Sequence, residues 1–180
     1  TVLEDAYVLC AGRSVEAVGR MRDLGALGDD VEEVDGSGLC AIPGLVDCHT
    51  HPAFAGDRAH EFALRARGAT YEELLAAGGG ILSTTRATRL AGAEGLHRAV
   101  ARHRSWMRAH GTTTFEGKSG YGLDRETELA SLRAIADAGG VPTWLGAHAT
   151  PPEFGDPDAC KDVAAAAMAF AEWVAADVGV

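Results

Sequence analysis

Pro43-Gly44-Leu45-Val46-Asp47-Cys48-His49-Thr50-His51 is the stretch on which the reading of this chain turns. An apolar run follows Pro43-Gly44 and ends in His-x-His. That pattern suits a buried strand, apolar on both faces, as in parallel sheets covered by helices. Side chains alternate faces along a strand, so His49 and His51 point the same way. Rings about 6–7 Å apart on one strand face can converge on one metal ion. Cys48 points to the opposite side and is a poor ligand. Asp47 shares the histidines' face, one layer deeper, and could orient them. His-x-His is common by chance, so the flanks carry the weight. In α/β folds ligands gather at the carboxyl ends of strands, and the histidines sit at that end.

The chain has 180 residues, a formal charge of −10 and 47% hydrophobic residues, which is a globular composition. The acidic balance argues against nucleic acid and against an anionic membrane surface as partners. No apolar stretch approaches the roughly 20 residues that span a bilayer. Cys10, Cys40, Cys48 and Cys160 lack metal-site spacing and read as reduced, buried thiols of a cytoplasmic protein.

Two regions are expected. Residues 1–42 read as a small β unit with two hairpins. Strands 6–10 and 14–18 flank Ala11-Gly12-Arg13, and strands 31–34 and 39–42 flank Asp35-Gly36-Ser37-Gly38. From 43 to 180 strands alternate with helices. The strands are 45–49, 112–116 and 141–145, and the helices are 93–110, 125–138 and 159–177. Asp124 is a helix cap, with Glu126 and Glu128 in the first turn. The order β-α-β-α-β-α predicts a parallel sheet with right-handed crossovers. A long connection, 50–91, leaves from the His-x-His strand with one short helix near 71–77 and Gly78-Gly79-Gly80. It would roof the proposed site.

Other candidate groups follow the same strand ends. Arg58 could clamp a substrate carboxylate, although most arginines are simply solvated. Tyr71 could offer a hydroxyl or merely anchor the short helix. Glu116-Gly117-Lys118-Ser119-Gly120-Tyr121-Gly122 follows the second strand, and its glycines let backbone approach a ligand. Tyr121 lacks local packing partners. His148 closes the third strand as His49 and His51 close the first. His103 reads as a hydrogen-bonded core residue, while His60, His97 and His110 read as structural or solvated.

With these segments together, the chain resembles imidazolonepropionase, an amidohydrolase-superfamily enzyme. The matching segments are 43–51, Phe54-Ala55-Gly56-Asp57-Arg58, Gly78-Gly79-Gly80-Ile81-Leu82-Ser83-Thr84, Lys118-Ser119-Gly120-Tyr121-Gly122-Leu123 and Leu145-Gly146-Ala147-His148. His-x-His marks only the superfamily; the glycine-rich segments are more specific. The resemblance implies an α/β fold, part of a (β/α)8 TIM barrel, with a partial β-sandwich over 1–42. It implies one divalent metal, zinc or iron, held by His49 and His51. It implies a substrate-binding set of Arg58, Tyr71, Tyr121 and His148, with Arg58 on the propionate carboxylate. The implied reaction is hydrolysis of 4-imidazolone-5-propanoate to N-formimino-L-glutamate in histidine breakdown. The implied partner is that small molecule, with a homodimer allowed.

The match also has departures. The family's remaining metal ligands and its general acid/base residues are expected beyond residue 180. A whole barrel needs about 250 residues, so the chain is expected to be an inactive piece of a longer enzyme. Gly117 stands where the family carries an apolar residue and should weaken the second strand's end. Two alternatives compete: another cyclic amide or amidine hydrolase or deaminase of the superfamily, and a non-catalytic truncated metal-binding module.

Overall fold

The computed structural model describes residues 2–146, 148, 149 and 151. It divides into two units, Thr1–Ile42 and Pro43–Val180. The expected helix over 159–177 and Cys160 lie outside the described residues.

In the first unit β1 (Ala6–Ala11) pairs antiparallel with β2 (Ser14–Arg20). The turn between them needs Gly12, whose φ is 59°. The second expected hairpin is absent. Asp35 Oδ1 accepts from the Ser37 N–H at 2.9 Å, so the turn itself forms. Its flanks stay unpaired, and Val34, Leu39 and Ile42 are exposed. A turn signal fixes only local geometry. The strands beside it need an apolar face to bury, and a lone hairpin finds none here.

The second unit carries a three-stranded sheet in the order β3-β4-β5: β3 (Leu45–Thr50), β4 (Thr112–Lys118) and β5 (Val141–Thr143). Both pairings are parallel, as the alternating pattern predicts. Helices α1 (Ala59–Ala66), α2 (Tyr71–Ala76) and α3 (Ile81–Ala109) join β3 to β4, and α4 (Arg125–Asp137) joins β4 to β5. The core packs Leu96 and Val100 of α3 and Ala134 and Ile135 of α4 against Phe115 of β4 and Ala53. Asp124 caps α4 as expected, its Oδ1 accepting from the Thr127 N–H at 2.8 Å.

Three expectations change. First, β3 is not buried on both faces: Leu45 is 50% and Val46 67% exposed. Among the described residues β3 pairs only with β4, so it is an edge. Secondly, residues 50–91 are more helical than expected, since α1 and the first half of α3 lie there. The only buried residue of α1 is Glu61, and the buried residues of α3's first half are Thr85 and Thr88. An apolar stripe is what the pattern search detects, and neither face has one. Gly92, at φ 60° and ψ −178°, breaks α3 near where the helix was expected to begin. Thirdly, Gly117 is a packing requirement rather than a weakness. A Cβ there would lie 2.8 Å from Cγ2 of the fully buried Ile135. Ile135 fills the space that a side chain on β4 would take, and β4 continues to Lys118.

One tie between α3 and α4 titrates. His97 Nδ1 lies 2.8 Å from the Ala93 carbonyl and Nε2 2.8 Å from Asp137 Oδ2. Both nitrogens face acceptors, so the geometry favours the imidazolium. The Ala93 carbonyl and then the Asp137 carboxylate raise the His97 pKa. Its stabilisation is therefore full below the ordinary value near 6.5 and fades as pH rises through the raised one. Both side chains are largely exposed, which limits the effect to about 0.5 kcal/mol. In urea unfolding, His97→Gln should cost that much at pH 5 and almost nothing at pH 8.5. An equal cost at both would remove the charge from the account.

Candidate metal and substrate site

Three strands deliver the candidate groups. At the end of β3 the rings of His49 and His51 stand 5.5 Å apart, tilted by 59°. The two rings meet although the β3–β4 register shifts between Asp47 and Thr50. Asp47 does not reach either ring; its Oδ1 faces the backbone N–H of His49 at 3.3 Å. Cys48 is exposed, as are Cys10 and Cys40. The expected buried thiols are thus surface thiols, because β3 is an edge and 1–42 offers little core.

The donor set can be tested against a metal. A zinc–imidazole bond of about 2.0–2.1 Å puts each ring centroid about 3.2 Å from the ion, and a tetrahedral angle then separates two centroids by about 5.2 Å. The observed 5.5 Å matches that spacing. A ligand must also be neutral, with its lone pair free. Burial, then the neighbouring His49 and the Lys118 ammonium, push the His51 pKa below its ordinary value against the pull of Glu116. The pair therefore fits a divalent cation as two of its ligands. No group of three or more His, Cys, Asp or Glu that could complete such a site occurs among the described residues.

Beside the pair, β4 ends in Glu116 and Lys118, which form an ion pair. The Glu116 carboxylate faces the Thr50 N–H at 3.4 Å, and the Thr50 hydroxyl donates to the Glu116 carbonyl at 2.6 Å. Burial pushes the Glu116 carboxyl up, but Lys118, the Thr143 hydroxyl and the Thr50 N–H together hold it below the usual carboxylate range. The two strand ends are thereby locked in register. Ser119 locks the third: its N–H donates to Thr143 O at 3.0 Å and its Oγ accepts from Leu145 N at 3.3 Å.

Tyr121 follows, and its ring stands 5.8 Å from that of His51 and 5.9 Å from Phe54. His148 reaches the same loop, its Nε2 donating to the Gly120 carbonyl at 2.6 Å. That bond requires a proton on Nε2, because a carbonyl only accepts, so a neutral ring has Nδ1 as its acceptor. His49, His51, Tyr121 and His148 are thus brought to one end of the sheet.

Arg58 and Tyr71 are not joined to this cluster by any hydrogen bond or ring contact. Arg58 occupies the N-cap position of α1 without a side-chain capping bond, and its Nη1 lies 3.9 Å from Glu61 Oε2. Tyr71 opens α2 and is exposed.

Sequence reasoning missed two buried carboxylates. Glu61 Oε1 accepts from the Gly80 N–H at 2.9 Å, which fixes the triple-glycine turn ahead of α3. Glu128 accepts from the N–H groups of Gly120, Gly122 and Leu123. Both look in sequence like ordinary first-turn acids of helices. The available signal was the nearby glycine-rich loop, whose N–H groups must find acceptors. His103 matches its expected structural role: Nδ1 donates to the Pro52 carbonyl at 2.7 Å and its ring stacks on Phe54 at 4.8 Å.

No family model matches the chain. Curated relatives do. It is 56% identical over 163 residues to an imidazolonepropionase of Rubrobacter xylanophilus, which covers 85% of this chain and 39% of that protein. It is 47% identical over 182 residues to one of Herpetosiphon aurantiacus, covering 96% and 42% respectively. An imidazolonepropionase of Chloroflexus aggregans is 50% identical over 160 residues, covering 85% and 37%. The chain therefore spans about two fifths of the length of the curated relatives it matches.

Proposed function

We infer, from the premise that the chain belongs to the imidazolonepropionase family, that the whole protein hydrolyses 4-imidazolone-5-propanoate to N-formimino-L-glutamate. Water adds to the ring carbonyl carbon, the C–N bond breaks, and the ring nitrogen leaves with a proton. The observation that supports this most directly is the His49–His51 pair at the carboxyl end of a parallel strand, with Tyr121 against His51. A divalent zinc or iron held there would supply Lewis acidity and a more acidic water.

This chain's own residues bind and orient. His49 and His51 would hold the cation through their ring nitrogens. Tyr121 presents a ring and a hydroxyl beside them. The Nε2–H bond of His148 to Gly120 leaves Nδ1 to accept from a ring N–H of the substrate. Arg58 takes the propanoate carboxylate. Tyr71 lends a hydroxyl at the rim. The sheet is part of a (β/α)8 barrel, and the exposed apolar edge of β3 is consistent with a further strand beside it. The β1–β2 hairpin belongs to a small β-sandwich. The free, exposed Cys10, Cys40 and Cys48 suit a reducing cytoplasm. No described helix is long and apolar enough to cross a membrane.

The test is turnover by the whole protein loaded with zinc or iron. Loss of the imidazolone chromophore with formation of formiminoglutamate is expected. Turnover of guanine or cytosine without turnover of the imidazolone would favour the deaminase alternative and end this reading.

A further inference from the structure

We propose that Glu128 is a positioning residue that sets Tyr121 against the histidine pair; this rests on the reading of Tyr121 as a substrate contact. The loop between β4 and α4 bends sharply, with Gly120 at φ 113° and Leu123 at φ 54°. A non-glycine residue in the left-handed region costs energy and persists only where its surroundings hold it. Glu128 is that surrounding. Its Oε2 accepts from the Gly120 N–H at 2.7 Å, and its Oε1 from those of Gly122 at 2.7 Å and Leu123 at 2.9 Å. The three donors bracket Tyr121 on both sides. Glu128 as a residue is 5% exposed, so these donors replace water around its carboxylate.

The loop also runs tight against α4. A Cβ on Gly122 would lie 2.7 Å from Thr127 Cβ and 3.0 Å from the Glu128 N, so the loop must pass this close to α4. Outward, the same loop meets the site twice. The Tyr121 ring stands 5.8 Å from His51, and the Gly120 carbonyl accepts from His148. A shift of Gly120 therefore moves both proposed substrate groups at once. A merely structural acid would stabilise α4 without this coupling.

Glu128→Gln separates the two roles. The amide oxygen can still accept from Gly122 and Leu123, but its NH2 meets the Gly120 N–H donor to donor. In the whole protein the variant should keep its metal and its kcat within about twofold. Its KM for the imidazolone should rise about tenfold, the loss of one charge-assisted hydrogen bond. In a Tyr121→Phe background the same change should raise KM by clearly less than it does alone, because the hydroxyl is gone and only the ring and His148 remain to be displaced. Hydrogen exchange supplies a measurement independent of turnover and of the variant's folding. In the unsubstituted protein the amides of Gly120, Gly122 and Leu123 should exchange at least about a hundredfold slower than in an unstructured chain. Fast exchange at those amides would overturn the proposal, as would an unchanged KM or full additivity with Tyr121→Phe. An unsubstituted protein that leaves the imidazolone untouched while these amides are protected would instead overturn the reading of the substrate.

Discussion

His49→Ala should strip the whole protein of its metal and lower turnover more than about a thousandfold. A methyl group has no lone pair, so a tetrahedral site would lose one ligand outright. The Lewis acidity that a divalent cation would supply at the proposed site is worth several kcal/mol, and each 1.4 kcal/mol is a factor of ten. The fold should survive, because His49 is an exposed residue at a strand end and takes no part in the core. Metal analysis after dialysis and circular dichroism together read both effects. Cys48→Ala is the control one residue away. Its thiol is free and exposed, so metal content and turnover should stay unchanged. Equal metal loss in both variants would mean that the strand, not the imidazole, retains the ion. Full metal in His49→Ala would remove the histidine pair from the site.

The proximity of the two histidines was legible in sequence from strand periodicity, and the rings meet even though the register shifts between Asp47 and Thr50. The β1–β2 hairpin, the parallel sheet and the Asp124 cap were legible for similar reasons, each resting on local chemistry or a clear period. What was hidden has a common cause. Where polar residues do the burying, hydropathy carries no signal. The first half of α3 buries Thr85 and Thr88, and α1 buries Glu61 while Phe62 is 78% exposed. The two loop-holding carboxylates are invisible for the same reason, since a first-turn Glu usually only faces a helix dipole. The failed hairpin at 31–42 shows the converse. Its turn chemistry was correct, and the turn forms, but among the described residues no strand pairs with its flanks. Exposure of Leu45 and Val46 follows from sheet order, which no local pattern encodes.

Arg58→Ala tests the substrate end of the site rather than the metal. A guanidinium can give a carboxylate two parallel charge-assisted hydrogen bonds. Losing both should lower kcat/KM about a hundredfold or more, with metal content intact. The structure leaves room for that role. Arg58 is 46% exposed on its side chain, and its ion pair to Glu61 is long at 3.9 Å. One edge of the fork can stay on Glu61 while the other meets a ligand. The pair also complicates the variant. Glu61 is only 9% exposed on its side chain, so removing Arg58 leaves a buried carboxylate with the Gly80 N–H as its remaining partner. Some loss of stability, about 1–3 kcal/mol, should accompany the kinetic effect. Arg58→Lys separates the two. Lysine keeps the charge beside Glu61 and so most of the stability, but it lacks the fork and should recover only part of kcat/KM. An imidazolone carrying a methyl group in place of the propanoate gives the sharpest check. Its turnover, already poor, should be indifferent to Arg58→Ala, because the group that the arginine holds is missing. If the truncated substrate suffers as much as the full one, Arg58 supports the fold around Glu61 and the propanoate is bound elsewhere.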